Sequence, residues 1–127
     1  MKYLMDTHTA LWALGDKSKL SPRTQGIIDD TSAGLCISIA SVWEIAIKVS
    51  LGKLLFHGGA AVFLQKMQAN HVEILGIERA YIIQLESLPY IHRDPFDRVL
   101  IATAQVSGLT LLTADTNIQK YDVLWAW

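Results

Sequence analysis

The sequence predicts one α/β domain over residues 1–127, with a mainly parallel central sheet flanked by helices. Three observations support this prediction. Short apolar runs typical of strands alternate along the chain with longer segments of helical periodicity. Hydrophobic residues make up 51% of the chain, as expected when helices cover both faces of a sheet. No repeat or low-complexity linker divides the chain, and 127 residues can bury one substantial core.

The first elements are marked by turn and cap residues. Residues 2–5 (KYLM) predict a strand that ends at Asp6, and either Asp6 or Thr7 then caps a helix. Ser21 followed by Pro22 is typical of the start of a second helix, because proline fits the first helical position. The chain therefore begins with a strand and two helices.

A second strand and two more helices follow. LCISIA at 35–40 predicts a strand, and SVWE then matches a capping box. In that reading Ser41 is the N-cap, Glu44 is the third helical residue, and the helix runs to about Ser50. A further helix is predicted at 60–70. This order continues the alternation that a parallel sheet requires.

The second half repeats the alternation. VEILGI at 72–77 predicts a strand and ERAYIIQLESL at 78–88 a helix. Asp94 is a natural N-cap, Pro95 the first residue of the next helix, and Gly108 its end. The last strands are predicted at 109–114 and 123–127.

Composition excludes several classes of protein. The formal net charge of −1 is not that of a polybasic nucleic-acid binder, so contacts to RNA must come from a local patch. The apolar runs are broken by charge or glycine, which predicts no transmembrane helix and no membrane partner. The single cysteine, Cys36, lies in a strand-like run, which favours a core thiol and a reducing, cytoplasmic location.

Acidic residues at the predicted strand-to-helix junctions are the most informative feature of the chain. They are Asp6, Glu44, Asp94, Asp97 and Asp115. The carboxyl ends of parallel strands meet at one edge of a sheet, so these side chains are expected to converge there. Clustered carboxylates repel one another unless they are protonated or neutralised by a cation. Oxygen ligands suit hard ions such as Mg²⁺ or Mn²⁺, so the pattern predicts a divalent metal site.

Each acid also has a purely structural interpretation. Asp94 and Asp97 fit an N-cap and a first-turn acid, both favoured by the helix dipole. Glu44 fits the capping box and could pair with Lys48 one turn later, and Asp115 could hold a turn. Together they favour phosphodiester hydrolysis, in which carboxylate-held cations neutralise charge on the attacked phosphate.

The acids are expected to divide the work. Magnesium usually takes only one or two protein carboxylates directly. Asp6 and Asp97 are the expected direct ligands, because a strand end and a helix start are rigid. Glu44 would orient or deprotonate the attacking water, while Asp94 and Asp115 would act through water or hold a second metal.

Several segments together carry a family resemblance: Asp6-Thr7-His8, SVWEIAIKVSLGKL (41–54), HRDPFDRVLIATA (92–104) and LLTAD (111–115). The chain resembles the PIN-domain family from Met1 to about Tyr121, and within it the VapC-type toxins of type II toxin–antitoxin systems. The resemblance implies a compact α/β fold and an endoribonuclease dependent on magnesium or manganese. It also implies an RNA substrate, a homodimer and a cognate antitoxin protein.

The resemblance also assigns residues. The family's four acids carry over to Asp6, Glu44, Asp97 and Asp115, with Asp6 and Asp97 as the principal metal ligands. The hydroxyl of Thr7 or Thr113 matches the small polar residue often found beside these acids. Asp94 belongs to the DPFDR variant of the motif rather than to the general pattern.

Other interpretations stay open from the sequence alone. A phosphatase with Asp6 as nucleophile would need a lysine near the last strands, and only Lys120 is a candidate. A non-catalytic metal- or partner-binding module would use its acids only to hold an ion or cap helices. Asp6 and Asp115 argue against that module, because neither is needed as a cap.

Three further side chains lack an assigned role at this stage. Arg98 could hold a substrate phosphate or pair with Asp94. His92 lies near the expected site without being required by a metal mechanism. Trp43 precedes Glu44 and so faces a different side of its helix, which favours an interface position.

Overall fold

Strands and helices alternate as the sequence predicts in the computed structural model, which describes all 127 residues. The strands are β1 Lys2–Met5, β2 Gly34–Ser38, β3 Glu73–Leu75, β4 Thr110–Leu112 and β5 Trp125–Ala126. The helices are α1 Thr7–Leu14, α2 Pro22–Asp29, α3 Ile39–Ser50, α4 Gly59–Ala69, α5 Arg79–Glu86 and α6 Pro95–Ser107. Short 3₁₀ turns cover Lys17–Lys19 and Ile118–Lys120.

The five strands form one wholly parallel sheet in the order β3-β2-β1-β4-β5. Leu4 of the central strand β1 lies opposite Cys36 on one side and Leu111 on the other. The chain moves outward from β1 to β3 and then returns to place β4 on the other side of β1. Connections therefore diverge between β1 and β4, the position at which open parallel sheets usually bind ligands.

Alternate residues of the strands fill two cores on opposite faces of the sheet. Leu4 and Leu111 join the cluster beneath α6, with Leu100. Met5 and Leu112 join the cluster beneath α3 and α4. Burying each such side chain contributes about 1.5–3 kcal/mol. Both faces of the sheet are thus covered, and the carboxyl ends of β1 and β4 are left as an edge.

Two helix starts follow the sequence prediction closely. The Ser21 side chain accepts a hydrogen bond from the main-chain N–H of Thr24, and Pro22 is the first residue of α2. The Asp94 side chain caps α6 in the same way, with Pro95 in the first turn. Gly108 ends α6 with φ 65°, a left-handed conformation that glycine adopts without strain.

The prediction for the start of α3 is wrong by three residues. Strand β2 ends at Ser38, whose side chain accepts a hydrogen bond from the main-chain N–H of Ala40 and caps the helix. Ser41 is therefore inside the helix, and its hydroxyl is hydrogen-bonded to the Thr7 hydroxyl instead. Glu44 lies in the second turn, so the capping box does not form. β-Branched Ile37 and Ile39 had favoured a longer strand.

No helix of the structure is both long enough and apolar enough to cross a membrane.

Candidate metal centre

Asp6 follows β1 directly and serves as the N-cap of α1. Its Oδ1 accepts hydrogen bonds from the main-chain N–H of Thr9 at 2.8 Å and from the Thr9 hydroxyl at 2.6 Å. The main-chain N–H of Asp6 donates to the Leu112 carbonyl at 3.2 Å, which ties it to the end of β4. The sequence argument that Asp6 is not needed as a cap is therefore wrong. Its Oδ2 makes no hydrogen bond and is free to bind a cation.

Glu44 is held on both carboxylate oxygens. Oε1 accepts from the Thr7 hydroxyl at 2.8 Å, and Oε2 accepts from Lys48 Nζ at 2.7 Å. The residue is 4% exposed, so this carboxylate is fixed in position beside α1. The hydrogen bond and the charge of Glu44 raise the pKa of Lys48, with Asp94 and Asp97 adding to the effect. The predicted pairing with Lys48 is thus confirmed.

The first turn of α6 brings two more acids to the same place. Asp94 Oδ1 accepts from the main-chain N–H of Phe96 at 2.8 Å and of Asp97 at 3.4 Å. Burial and the charges of Asp94, Asp6 and Glu44 together raise the pKa of Asp97 to about 7, although the charge of His92 acts in the opposite direction. Like charges therefore meet at Asp97, as the convergence argument expected.

His92 connects Asp97 with Asp115. Its Nε2 lies 3.1 Å from Asp97 Oδ2 and 2.9 Å from Asp115 Oδ2. Partial burial acts to raise the pKa of Asp115, but hydrogen bonds from His92 and the main chain of Asn117 hold it below its usual range. Thr113 Oγ1 accepts from the Asp115 N–H at 3.0 Å and so sets the turn after β4. Asp115 Oδ1 holds that turn, as one sequence interpretation expected.

The orientation of the His92 ring is fixed from both ends. Nδ1 accepts a hydrogen bond from the main-chain N–H of Asp94 at 3.1 Å, so a neutral ring carries its hydrogen on Nε2. The main-chain N–H of His92 donates to the Tyr121 hydroxyl at 2.9 Å. Sequence reasoning left His92 without a role because its contact with Asp115 spans 23 residues. Only its position just before the DPFDR motif gave a hint.

Arg98 makes neither of the contacts expected from the sequence. It is 3% exposed, which removes it from any substrate phosphate, and no ion pair joins it to Asp94. Its guanidinium donates to five oxygens instead: the main-chain carbonyls of Leu85, Leu88, Pro89 and His92 and the Tyr121 hydroxyl. The Tyr90 ring covers it at 4.0 Å. Arg98 therefore holds the segment that delivers His92.

The donors at this edge fit a divalent cation. One ligand atom each from His92, Asp97 and Asp115 lie within 4.8 Å of one another. Carboxylate oxygens suit Mg²⁺ and Mn²⁺, whereas His92 uses both ring nitrogens in hydrogen bonds and so holds the Asp97 and Asp115 carboxylates in place. A cation there would also offset the repulsion that raises the Asp97 pKa. Asp6 is close enough to this group for its charge to raise the pKa of Asp97.

Residues 3–124 match the sequence profile of the PIN domain. The chain belongs to the PIN-domain family. The five-stranded parallel sheet with six helices is the PIN-type α/β fold that the motifs implied.

Known proteins similar to this PIN domain include one ribonuclease and several complexes. The chain is 27% identical over 119 residues to Ribonuclease VapC22 of Mycobacterium tuberculosis, covering 93% of this chain and 90% of that protein. Among solved structures it is similar to DNA-bound VapBC2 of Rickettsia felis (TM-score 0.74, 13% identity, 99% and 98% of the two chains). DNA-bound VapBC of Salmonella typhimurium gives a TM-score of 0.67 at 16% identity, covering 99% and 97%. At these identities the structural likeness concerns the fold.

Proposed function

We propose that this PIN domain is a divalent-metal-dependent endoribonuclease and the toxin component of a type II toxin–antitoxin system. The convergence of five acids and His92 at the switch point of the sheet carries the proposal. The name of its relative, Ribonuclease VapC22, supports the same activity. The reaction is hydrolysis of an RNA phosphodiester by an activated water.

Mg²⁺ or Mn²⁺, when bound, would supply positive charge to the attacked phosphate and lower the pKa of a bound water. Asp6 and Asp97 are the proposed principal ligands, each offering an oxygen on a rigid element. Asp115 lies close enough to complete the set or to act through water, and His92 positions Asp97 and Asp115 through its Nε2 hydrogen. One direct ligand thus follows β1, and the other lies at the start of α6, the helix that leads into β4.

Glu44 is proposed to orient the attacking water or take its proton. The Thr7 hydroxyl and Lys48 hold its carboxylate, which keeps the oxygens in one place during the reaction. Thr113 and Asp94 act on the site through main-chain N–H groups, and their role is to position Asp115 and the start of α6. Arg98 is excluded from substrate contact by its burial.

The proposed partners are RNA, a cognate antitoxin protein and a second copy of the chain. The solved VapBC structures contain toxin and antitoxin together, which supports an antitoxin for this chain. Exposed apolar side chains away from the acids, including Ile83, Leu55 and Leu124, are available for such contacts.

A non-catalytic metal- or partner-binding module is the second candidate. The observation in its favour is that Asp6 caps α1 and Asp115 caps a turn, so both acids have structural work. Such a module would bind the cation without hydrolysing RNA. Catalysis therefore has to be tested apart from metal binding.

The test is cleavage of total cellular RNA by antitoxin-free protein with Mg²⁺ or Mn²⁺ and with EDTA. We expect cutting that needs the metal and falls by about a hundredfold or more in Asp97→Asn and in Asp6→Asn. The matched control is Asp122→Asn, which should cut normally. Asp122 is an exposed acid that precedes β5, at the amino ends of the parallel strands and so away from the acid cluster. Calorimetric titration of the metal runs beside each assay.

Two results would count against the proposal. Folded protein that binds the metal but leaves RNA intact, with no antitoxin present, would indicate the binding module. Cleavage that persists in EDTA and in Asp97→Asn would indicate a contaminating nuclease or a mechanism independent of these acids.

A further inference from the structure

Trp43 is a large aromatic side chain left open beside the acid cluster. It is 59% exposed, although the next residue, Glu44, is only 4% exposed. Its ring meets Phe96 edge-to-face, with centroids 5.1 Å apart and planes at 84°. Phe96 in turn precedes Asp97. Two rings on different helices thus form one aromatic surface next to two proposed catalytic carboxylates.

A recess with both charged and apolar lining residues adjoins this aromatic surface. It has a volume of about 350 Å³, within the range of small-ligand sites, and Phe96, Glu44, Asp94, Lys48 and Arg93 contribute to its lining. Arg93 is exposed and has no ion-pair partner, so its guanidinium is free for an anion. Lys48 is 39% exposed while it holds Glu44. Two cations, the Phe96 ring and two of the acids therefore border one recess, and Trp43 lies beside it through its contact with Phe96.

We propose that the exposed face of Trp43, held in place by the edge-to-face contact with Phe96, is a stacking platform for an unpaired base of the RNA strand, with Arg93 holding an adjacent phosphate. The inference rests on the proposed ribonuclease function and specifies its substrate as single-stranded RNA at the site of cutting. A nucleotide supplies both groups that this surface lacks, a flat π face for the rings and an anion for Arg93. Bases within a duplex are stacked on each other and do not offer that face.

A second copy of the chain is a poorer occupant of this surface. An interface of that kind would cover Lys48, Arg93, Glu44 and Asp94 together, and interface cores are depleted in lysine, aspartate and glutamate. The polymer that passes the acids must also lie across the same recess, because Glu44 and Asp94 line it. Continuity with the proposed site thus favours RNA.

Binding of RNA without cleavage tests the platform directly. The probe is a short fluorescein-labelled single-stranded RNA of mixed sequence, titrated in EDTA and followed by anisotropy. Base–aromatic stacking predicts that Trp43→Ala weakens binding about tenfold or more, whereas Trp43→Phe keeps most of the affinity. Trp125→Ala is the matched control, since Trp125 is 44% exposed on the edge strand β5 and should bind normally.

Arg93→Gln separates phosphate contact from stacking. We expect the variant to lose about one phosphate contact with single-stranded RNA. The slope of log K against log salt should therefore become shallower by roughly 0.7. Trp43→Ala should leave that slope unchanged. A blunt duplex of the same sequence should bind with equal strength to wild type and Trp43→Ala, because it offers no unpaired base.

The outcomes separate this inference from the proposed function. If the protein cuts RNA with metal but Trp43→Ala binds single strands as wild type does, the platform is wrong and the nuclease stands. If Trp43→Ala instead converts a dimer to a monomer in sedimentation with RNA affinity unchanged, the surface belongs to a second copy. Wild type that neither binds nor cuts RNA overturns both proposals.

Discussion

Asp97 and Arg98 are consecutive residues of α6, and each places a charged group inside the protein, yet their surroundings are opposite. Arg98 donates to four carbonyls and one hydroxyl, and its charge is balanced by their dipoles. Asp97 faces other carboxylates, which with burial raise its pKa to about 7. Buried charge thus stabilises the fold where hydrogen-bond acceptors surround it, and it favours metal binding where like charges surround it.

The largest expected effect is on the unfolding free energy when Arg98 is replaced. Arg98→Ala removes the donor shared by the carbonyls of Leu85, Leu88 and Pro89 and so detaches the segment that precedes α6, and we expect a loss of about 3–5 kcal/mol in unfolding free energy. Urea denaturation followed by circular dichroism measures it. Arg79→Ala, an exposed arginine at the start of α5, should change stability by about 0.5 kcal/mol or less. Equal effects in the two variants would show that the Arg98 hydrogen bonds are not the source.

Asp97 should make the stability of the protein depend on pH. The folded-state pKa of Asp97 is about 7, above the ordinary 3.8, so the folded protein binds more protons between these values. Stability should therefore fall as pH rises through this window, by at most about 4 kcal/mol. Asp97→Asn removes the charge, and we expect it to exceed wild type by roughly 2 kcal/mol at about pH 8 and to match it near about pH 4.

Metal should remove that difference. Mg²⁺ or Mn²⁺ binding to the folded state raises the wild-type melting temperature at high pH, and it should do so far less in Asp97→Asn. Thermal unfolding with and without EDTA at both pH values measures this. A variant that is less stable than wild type at high pH would mean that the carboxylate is well solvated or paired, contrary to its surroundings here.

A smaller effect is expected at Tyr121, whose hydroxyl contacts both Arg98 and the segment that carries His92. The Tyr121 hydroxyl donates to the Pro89 carbonyl at 2.7 Å and accepts from the N–H groups of Ile91 and His92. Tyr121→Phe should cost about 1–2 kcal/mol and weaken metal binding, because the His92 segment loses its anchor. Tyr3→Phe, whose hydroxyl contacts only the Met1 sulfur, is the control. Unchanged metal affinity in Tyr121→Phe would separate the anchor from the site.

The fold was predictable from local signals because those signals are strong and agree with one another. Ser21-Pro22, Asp94-Pro95 and Gly108 mark helix ends through their own backbone and side-chain preferences, and the structure keeps all of them. The start of α3 was harder to predict from the sequence. Ser38 and Ser41 are both competent caps, and a tertiary contact from the Thr7 hydroxyl to Ser41 distinguishes them.

The acids of the site were visible in the sequence, but their partners were not. Strand-end placement and motif spacing identify the carboxylates, since topology brings them to one edge. Arg98 and His92 depend on contacts with residues far along the chain, such as Tyr121 and Asp115. Such pairings carry no local pattern. Arg98 in particular combined the charge of a phosphate ligand with the burial of a core residue.

The pairs Trp43-Glu44 and Phe96-Asp97 share a consequence of helical phase. Neighbouring residues of an α-helix point about 100° apart, so Glu44 turns inward while Trp43 turns outward, and the half-buried Phe96 and Asp97 likewise point in different directions. Deleting one residue of α3 ahead of Trp43 would move Glu44 into the solvent-facing position of Trp43 and would force the Trp43 ring into the buried position of Val42. The spacing from helix start to these pairs is therefore as much a constraint on this protein as the identity of the residues.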